Sequence, residues 1–465
     1  MTEALSPTDR SSLVAERGPV NMAIGAVIVA EGGPGVGYHR VLERVEQRLH
    51  LIPRYRQRLQ EPRVGVVNPV WIDDEHFDLR WHIRQASLPA PGGEAELAAY
   101  VATEASRRLD RSRPLWELHL VEGLAGHRVA LVAKMHHAMV DGMAAAGIAA
   151  ILLDVSEGPP SIEPPEDEWE PREYTTRSHF ADLARVGLSE GQRLVLQAID
   201  RVLETTPQEA AAEAQRATEL IAALAQRHPP PPKLPINGPL SPNRAYAIAS
   251  AALADIKRAC KAVGGTVNDA ILAAVSGMLG RYLAEAGVDP AALARDPVAL
   301  VPVSIRAPGE EGGNRISVVL VDLPIGEPDP RRRIELLSER MTAIKGSAEV
   351  RAGALAIDAT GFGPPLLSSV LALAVGGAGG FNLVISNVPG PKVPLFFGGS
   401  RVVAIHPVVP LNPADQRLNV GVVSYDGRVF FGLAADRDLE PQIDRAVAAL
   451  EAALTELGCG AIRNA

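Results

Sequence analysis

One stretch constrains the chain more tightly than any other. Arg128–Met135 is a strand-like run, His136 and His137 follow it, and the chain turns at Asp141-Gly142. Met143–Leu153 is then a small and aliphatic run that reads as a buried helix. A strand ending in two histidines places an imidazole on an edge, free to meet a substrate. Histidine suits that place because its unperturbed pKa, roughly 6.5, lets it take and return a proton near neutrality. Neighbouring strand side chains point to opposite faces, so His136 and His137 should not act on the same atom. One of them reads as a base and the other as a packed, hydrogen-bonded neighbour. The plain alternative is a satisfied core histidine. A metal site is poorly supported, because adjacent strand histidines diverge and no thiolate cluster or helically spaced histidine pair accompanies them.

Strand-like runs such as Met22–Ala30 alternate with helical ones such as Leu97–Arg108. An acidic, proline-rich stretch, Ser156–Glu173, has too few large apolar residues to fold alone. Ser178–Gln226 is helical in pattern, and His228–Pro235 is a stiff, proline-rich connector. The expected division is therefore an N-terminal lobe over 1–155, a linker with a long helical segment over 156–243, and a C-terminal lobe over 244–465. Near the end, Leu418–Ser424, Tyr425-Asp426-Gly427 and Arg428–Leu433 spell a hairpin.

Composition excludes several classes. At 465 residues the chain is too long for one ordinary core. It is 47% hydrophobic but 4% aromatic, so its cores must be built from Ala, Val, Leu and Ile. A net charge of −9 argues against nucleic acid as a partner. Cys260 and Cys459 are too few for a disulfide framework and suit a reducing compartment. The first residues lack the basic and apolar regions of a signal peptide, so a cytoplasmic location is expected. Thr360–Pro391 carries no charge, yet glycines at 376, 377, 379 and 380 interrupt its apolar run. A span needs about twenty continuous apolar residues. A buried helix followed by the strand Phe381–Asn387 fits better, with peripheral attachment to a lipid surface still open.

The spacing HHxxxDG at a strand-to-helix turn resembles the signature of acyltransferases related to chloramphenicol acetyltransferase and to peptide-synthetase condensation domains. Further blocks narrow the resemblance to the bacterial wax ester synthase/diacylglycerol acyltransferases. Leu5-Ser6-Pro7-Thr8-Asp9, Phe77-Asp78-Leu79 with His82-Ile83-Arg84, and Pro114-Leu115-Trp116-Glu117 look like early family segments. Asn237-Gly238-Pro239, Val267-Asn268-Asp269, Val301–Arg306 and Ser386-Asn387-Val388-Pro389-Gly390-Pro391 look like later ones, in order. One departure is Ala23, where the family's pattern has histidine. The resemblance implies a mixed α/β fold of two chloramphenicol acetyltransferase-like lobes with an active-site channel between them. It also implies acyl-CoA as co-substrate without a resident cofactor, and a diacylglycerol or long-chain alcohol as acceptor. A lipid droplet or membrane surface is the expected peripheral partner.

Elimination supports direct transfer. The chain has no G-x-S-x-G elbow, and neither cysteine lies near a histidine in a recognisable motif. A general base activating an acceptor hydroxyl remains. By the resemblance and by its place at the strand's end, His137 is that base and His136 its support. Backbone N–H groups at Asp141-Gly142 are candidates for the oxyanion, and glycine there lets backbone and substrate approach closely. Asp141 either orients the imidazole or anchors the turn. A buried carboxylate demands a partner, and related condensation-type folds supply an arginine, here Arg306. Asn268 and Asp269 read as a helix cap or as channel lining. Ser386, Asn387, Pro389 and Gly390 read as a loop after a strand or as a segment beside the channel. Trp116 reads as structural or as acyl-pocket wall. Two other readings compete: a condensation-type transferase using a carrier-bound acyl group with another alcohol or an amine, and a catalytically silent lipid-binding protein.

Overall fold

The computed structural model describes residues 3–5, 7–61, 69–139, 152–158, 162, 169–172, 230–304, 316–345, 380–411 and 415–460. In the first half, β1 (Glu3–Ala4), α1 (Pro7–Ala15), β2 (Ala23–Glu31) and α2 (Tyr38–Arg48) lead to β3 (Gln57–Gln60) and β4 (Val70–Asp73). Then come α3 (Leu79–His82), β5 (Ile83–Ser87), α4 (Glu94–Ser106), β6 (Trp116–Leu124) and β7 (Arg128–His136). The second half begins with β8 (Arg244–Ala252), α5 (Leu253–Lys261), α6 (Val267–Glu285), β9 (Val298–Ser304), β10 (Ile316–Asp322) and α7 (Pro330–Lys345). It closes with β11 (Leu383–Pro389), β12 (Phe396–Phe397), β13 (Ser400–Val408), β14 (Leu418–Tyr425), β15 (Arg428–Asp436) and α8 (Ile443–Glu456).

These strands build two six-stranded mixed sheets, ordered β12-β13-β2-β7-β6-β5 and β10-β9-β11-β14-β15-β8, plus a small sheet β1-β4-β3. Strands β6 and β7 are buried along almost their whole length; β7 accordingly runs mostly apolar, while β6 alternates and buries Glu117 and His119 with its apolar residues. In the second sheet the two-residue period is visible on β8 and β15. Tyr246, Ile248 and Phe430 point into the first core, while Ala247, Ala249, Val429 and Phe431 point into the second. Helix α6 is apolar on nearly every side because it is sunk in that second core. The expected hairpin forms between β14 and β15, with Tyr425 opposite Arg428. Its turn residues, Asp426 and Gly427, sit at φ +42° and +76°, the left-handed pair that a two-residue hairpin loop needs.

The sheets do not respect the division at residue 244. Strand β13 pairs along β2, so residues of the second half complete the first sheet. Periodicity could not reveal this, because a strand's sequence says nothing of which sheet it joins. From there β13 also meets the second sheet: Tyr246 Oη donates to Pro407 O at 2.9 Å. A Cβ at Gly432 would fall 1.9 Å from that same carbonyl, so only glycine permits the approach. Connector residues Leu234 and Ile236 are buried in the second core and do not hang free. Among the described residues, no helix is long and apolar enough to cross a membrane. The expected helices over 143–153, 178–226 and 366–375 fall almost entirely outside the described residues.

Candidate active site

Strand β7 ends at His136, and His137 opens a 3-10 turn, His137–Met139. Both backbones are pinned, since His136 N–H donates to Leu115 O and His137 N–H to Met22 O, each at 2.9 Å. The two imidazoles meet different surroundings. His136 is 1% exposed; its Nδ1 accepts from Ala138 N–H at 3.0 Å, so its proton belongs on Nε2, which lies 3.5 Å from Glu16 Oε2. His137 is half-buried, with Nδ1 3.5 Å from Ser12 Oγ. Burial, and then the charge of His136, push the His137 pKa down, which keeps it a neutral base at neutral pH.

Glu16 anchors the arrangement. Its carboxylate accepts from Met22 N–H and from Arg111 Nη2, both at 3.1 Å, besides facing His136. Burial alone would raise its pKa, but the hydrogen bond and charge of His136, the Met22 N–H and Arg111 outweigh it and bring it down to about 2. Ser12 and Glu16 stand one helical turn apart on α1 and its C-terminal extension, one beside each histidine. Neither is visible as a site residue in the sequence. Their four-residue spacing is plain, but nothing in it names a partner more than a hundred positions away.

Ala23, the departure from the family's pattern, lies directly opposite His136 in the β2–β7 register. It is therefore beside the motif in space, although outside it in sequence.

The later candidates lie on β11 and at the start of α6. Asn387 Nδ2 donates to Asn268 Oδ1 at 3.1 Å, so two of the predicted residues are in contact. Asp269 is a cap: its carboxylate accepts from Thr266 N–H at 2.8 Å, while Thr266 Oγ1 accepts from Asp269 N–H. Ser386 pairs with Gly421, which has Pro407 and Val409 against its α-carbon. Val408 in turn pairs with Gly25, two residues along β2 from Ala23. Ser386 is thus linked to the histidine strand through β14, β13 and β2. Pro389 is exposed at the end of β11, and a side chain on Gly390 would strike Ser424 O. Trp116 is corrected to a core residue. It is 1% exposed, stacked on His82 at 4.6 Å, and its Nε1 donates to Tyr55 O at 2.8 Å, so no face is left for an acyl chain. Asp141, Gly142 and Arg306 lie outside the described residues.

Two further features have some of the makings of a site. Glu104, Glu117 and His119 bring possible metal-ligand atoms within 4.8 Å of one another. Both ring nitrogens of His119 are taken, by Tyr100 Oη at 2.7 Å and Glu117 Oε2 at 3.1 Å, and the Lys134 charge acts on both carboxylates. The trio reads as a closed ionic network. A groove of about 820 Å³ runs between α4 and β8, lined by Ala98, Ala102, Arg107, Tyr246 and Arg437 among others, but its lining includes neither His136 nor His137.

Residues 5–271 match the catalytic domain of wax ester synthase/diacylglycerol acyltransferases, and residues 312–458 match that family's C-terminal domain. A probable diacylglycerol O-acyltransferase of Mycobacterium tuberculosis, tgs1, is 32% identical over 444 residues, covering 94% of this chain and 91% of the relative. A second from that organism, tgs2, is 32% identical over 468 residues, 98% of each chain. The wax ester synthase/diacylglycerol acyltransferase from Marinobacter aquaeolei VT8 superposes with a TM-score of 0.68 at 27% identity over 98% of both chains. The first condensation domain of the CDA synthetase superposes at 0.55 with 16% identity, covering 98% of this chain and 95% of that one, a likeness of fold.

Proposed function

Since the chain belongs to the wax ester synthase/diacylglycerol acyltransferase family, we propose that it transfers the acyl group of acyl-CoA to the hydroxyl of a diacylglycerol or a long-chain alcohol. Acyl-CoA is a co-substrate and no resident cofactor takes part. The observation that carries the reading is the unequal pair at the end of β7: His136 locked against Glu16, His137 half-buried and held as a neutral base.

His137 Nε2 takes the acceptor's hydroxyl proton as its oxygen attacks the thioester carbonyl. The tetrahedral oxyanion is met by backbone N–H groups at Asp141-Gly142, a turn that an Asp141–Arg306 ion pair would hold. Collapse breaks the C–S bond, and the imidazolium returns its proton to the departing thiolate. Asn268, Asn387 and Ser386 line the acceptor's approach. The enzyme works in the cytoplasm, peripherally at the inner membrane or a lipid droplet, where its acceptors reside; co-flotation with diacylglycerol-containing vesicles tests that placement.

The deciding experiment measures free thiol and product with acyl-CoA and, in parallel, diacylglycerol, hexadecanol and an amine. The wild type should make esters, and His137→Ala should lose roughly 10²–10⁴-fold in rate, the usual worth of such proton transfer. An amine-only product, or more than about a tenth of the rate surviving in His137→Ala, would overturn the reading.

A further inference from the structure

Ser12 belongs to no segment assigned a role above, yet α1 carries it to the ring of His137. Its Oγ lies 3.5 Å from Nδ1, and the residue is buried at 6% exposure. At that distance, the outer limit of a hydrogen bond, a small ring or hydroxyl rotation closes the contact. We infer that Ser12 is a positioning residue for His137: its oxygen shares the Nδ1 proton with the ring's own backbone carbonyl, which leaves the Nε2 lone pair as the base. The inference rests on the reading of His137 as general base.

The chemistry favours this direction of bonding. A helical serine has the carbonyl four residues earlier as an outlet for its own proton, so its lone pairs are open to an N–H donor. Neutral imidazole carries one proton, and only the Nδ1–H form presents an acceptor at Nε2. His136 holds the opposite form, because Ala138 N–H already occupies its Nδ1. The two adjacent rings therefore carry their protons on different nitrogens, that of His136 set by Ala138 N–H with Glu16 facing its Nε2. A hydroxyl orients without adding a negative charge. It spares His137 the upward pKa shift that a carboxylate partner would cause. Among the described residues, the charged and titratable groups around the pair are His136 on β7, Glu16 at the end of α1, and Arg111 from the segment before β6. Arg111 and His136 already engage Glu16, so among the described side chains Ser12 is the one beside His137 Nδ1, where it adds to the hydrogen bond that the ring makes with its own backbone carbonyl.

The test compares wild type, Ser12→Ala, Ser12→Thr and His137→Ala, with kcat, KM and the pH profile of kcat/KM for acyl-CoA. Ser12→Ala should lose about ten- to a hundredfold in kcat with KM held, the range expected when a catalytic group loses its orientation. The acid limb of its profile should move to lower pH, because the lost acceptor bonded the imidazolium more strongly than the neutral ring. Ser12→Thr, which keeps the hydroxyl, should restore most of the rate. An inactive His137→Ala beside a Ser12→Ala of wild-type rate and unmoved limb would overturn the Ser12 role alone. So would a Ser12→Ala that loses rate with an unmoved limb and no rescue by threonine. An active His137→Ala would instead overturn the reading beneath it, and the Ser12 role with it.

Discussion

The two six-stranded sheets are alike in size and unlike in what they bury. Around the first, strands and helices hold charges out of water: Glu16, Glu104, Glu117, Lys134, and Asp154 between Arg44 and Arg48. Around the second, many buried polar groups are neutral amides that stitch loops together. Asn382 accepts from Val298 N–H and donates to Pro232 O; Asn419 accepts from Val384 N–H and donates to Pro410 O. Gln416 donates to Phe381 O. Amides fix backbone at any pH, whereas charges also fix where protons sit. The lobe with the histidine pair uses charge in this way more heavily, although Asp269, Arg333 and Asp436 are buried around the second sheet. The other lobe is built as a frame.

The contrast can be broken by substitution, and the largest effect is expected at Asp154. Its carboxylate bonds Arg48 Nη2 at 2.8 Å and also Arg44, whose Nε donates to Leu152 O. Asp154→Ala leaves two buried guanidinium groups facing each other and should cost about 3–5 kcal/mol in denaturant unfolding. A loss below ~1 kcal/mol would mean the first lobe does not depend on its buried charges.

Glu16 gives a smaller effect with a pH signature. A carboxyl lowered from 4.5 to about 2 is worth about 3 kcal/mol to the folded state. Because the folded value is depressed, that stability is fully present above about pH 4.5 and is lost as pH falls toward 2. The stability gap between wild type and Glu16→Gln should therefore close over that window. A gap that stays constant would remove Glu16 from the charged set.

At the small end, Ile385→Val in the second sheet trims a fully buried side chain on β11. Calorimetry should find a loss of about 1 kcal/mol, equal at pH 4 and pH 7. A clear pH dependence there would erase the distinction between the sheets.

Local pattern carries much of this into view. The strand ending at the histidines, the Asp-Gly hairpin and the Thr266 cap are written in neighbouring residues, whose chemistry decides them. The partners of His136 and His137 are not. Glu16 reaches its place because α1 packs on the turn after β7, and that packing leaves no periodic mark in the sequence. Trp116 misleads for a related reason. A motif tryptophan looks the same on paper whether it lines a pocket or, as here, stacks on His82 in a core. The Asn268–Asn387 contact is legible only as membership of one segment set, since helix α6 and strand β11 meet across more than a hundred residues.

The passage of β13 into the first sheet bears on how the protein is made. Until residue 408 has left the ribosome, β2 presents an unpaired edge beside the histidine strand, and such edges invite pairing with other chains. The matched catalytic domain ends at 271, so on its own it would leave that edge open for good. Either half expressed or swapped alone would leave one edge of this shared pairing open. Selection must act on the chain as one piece.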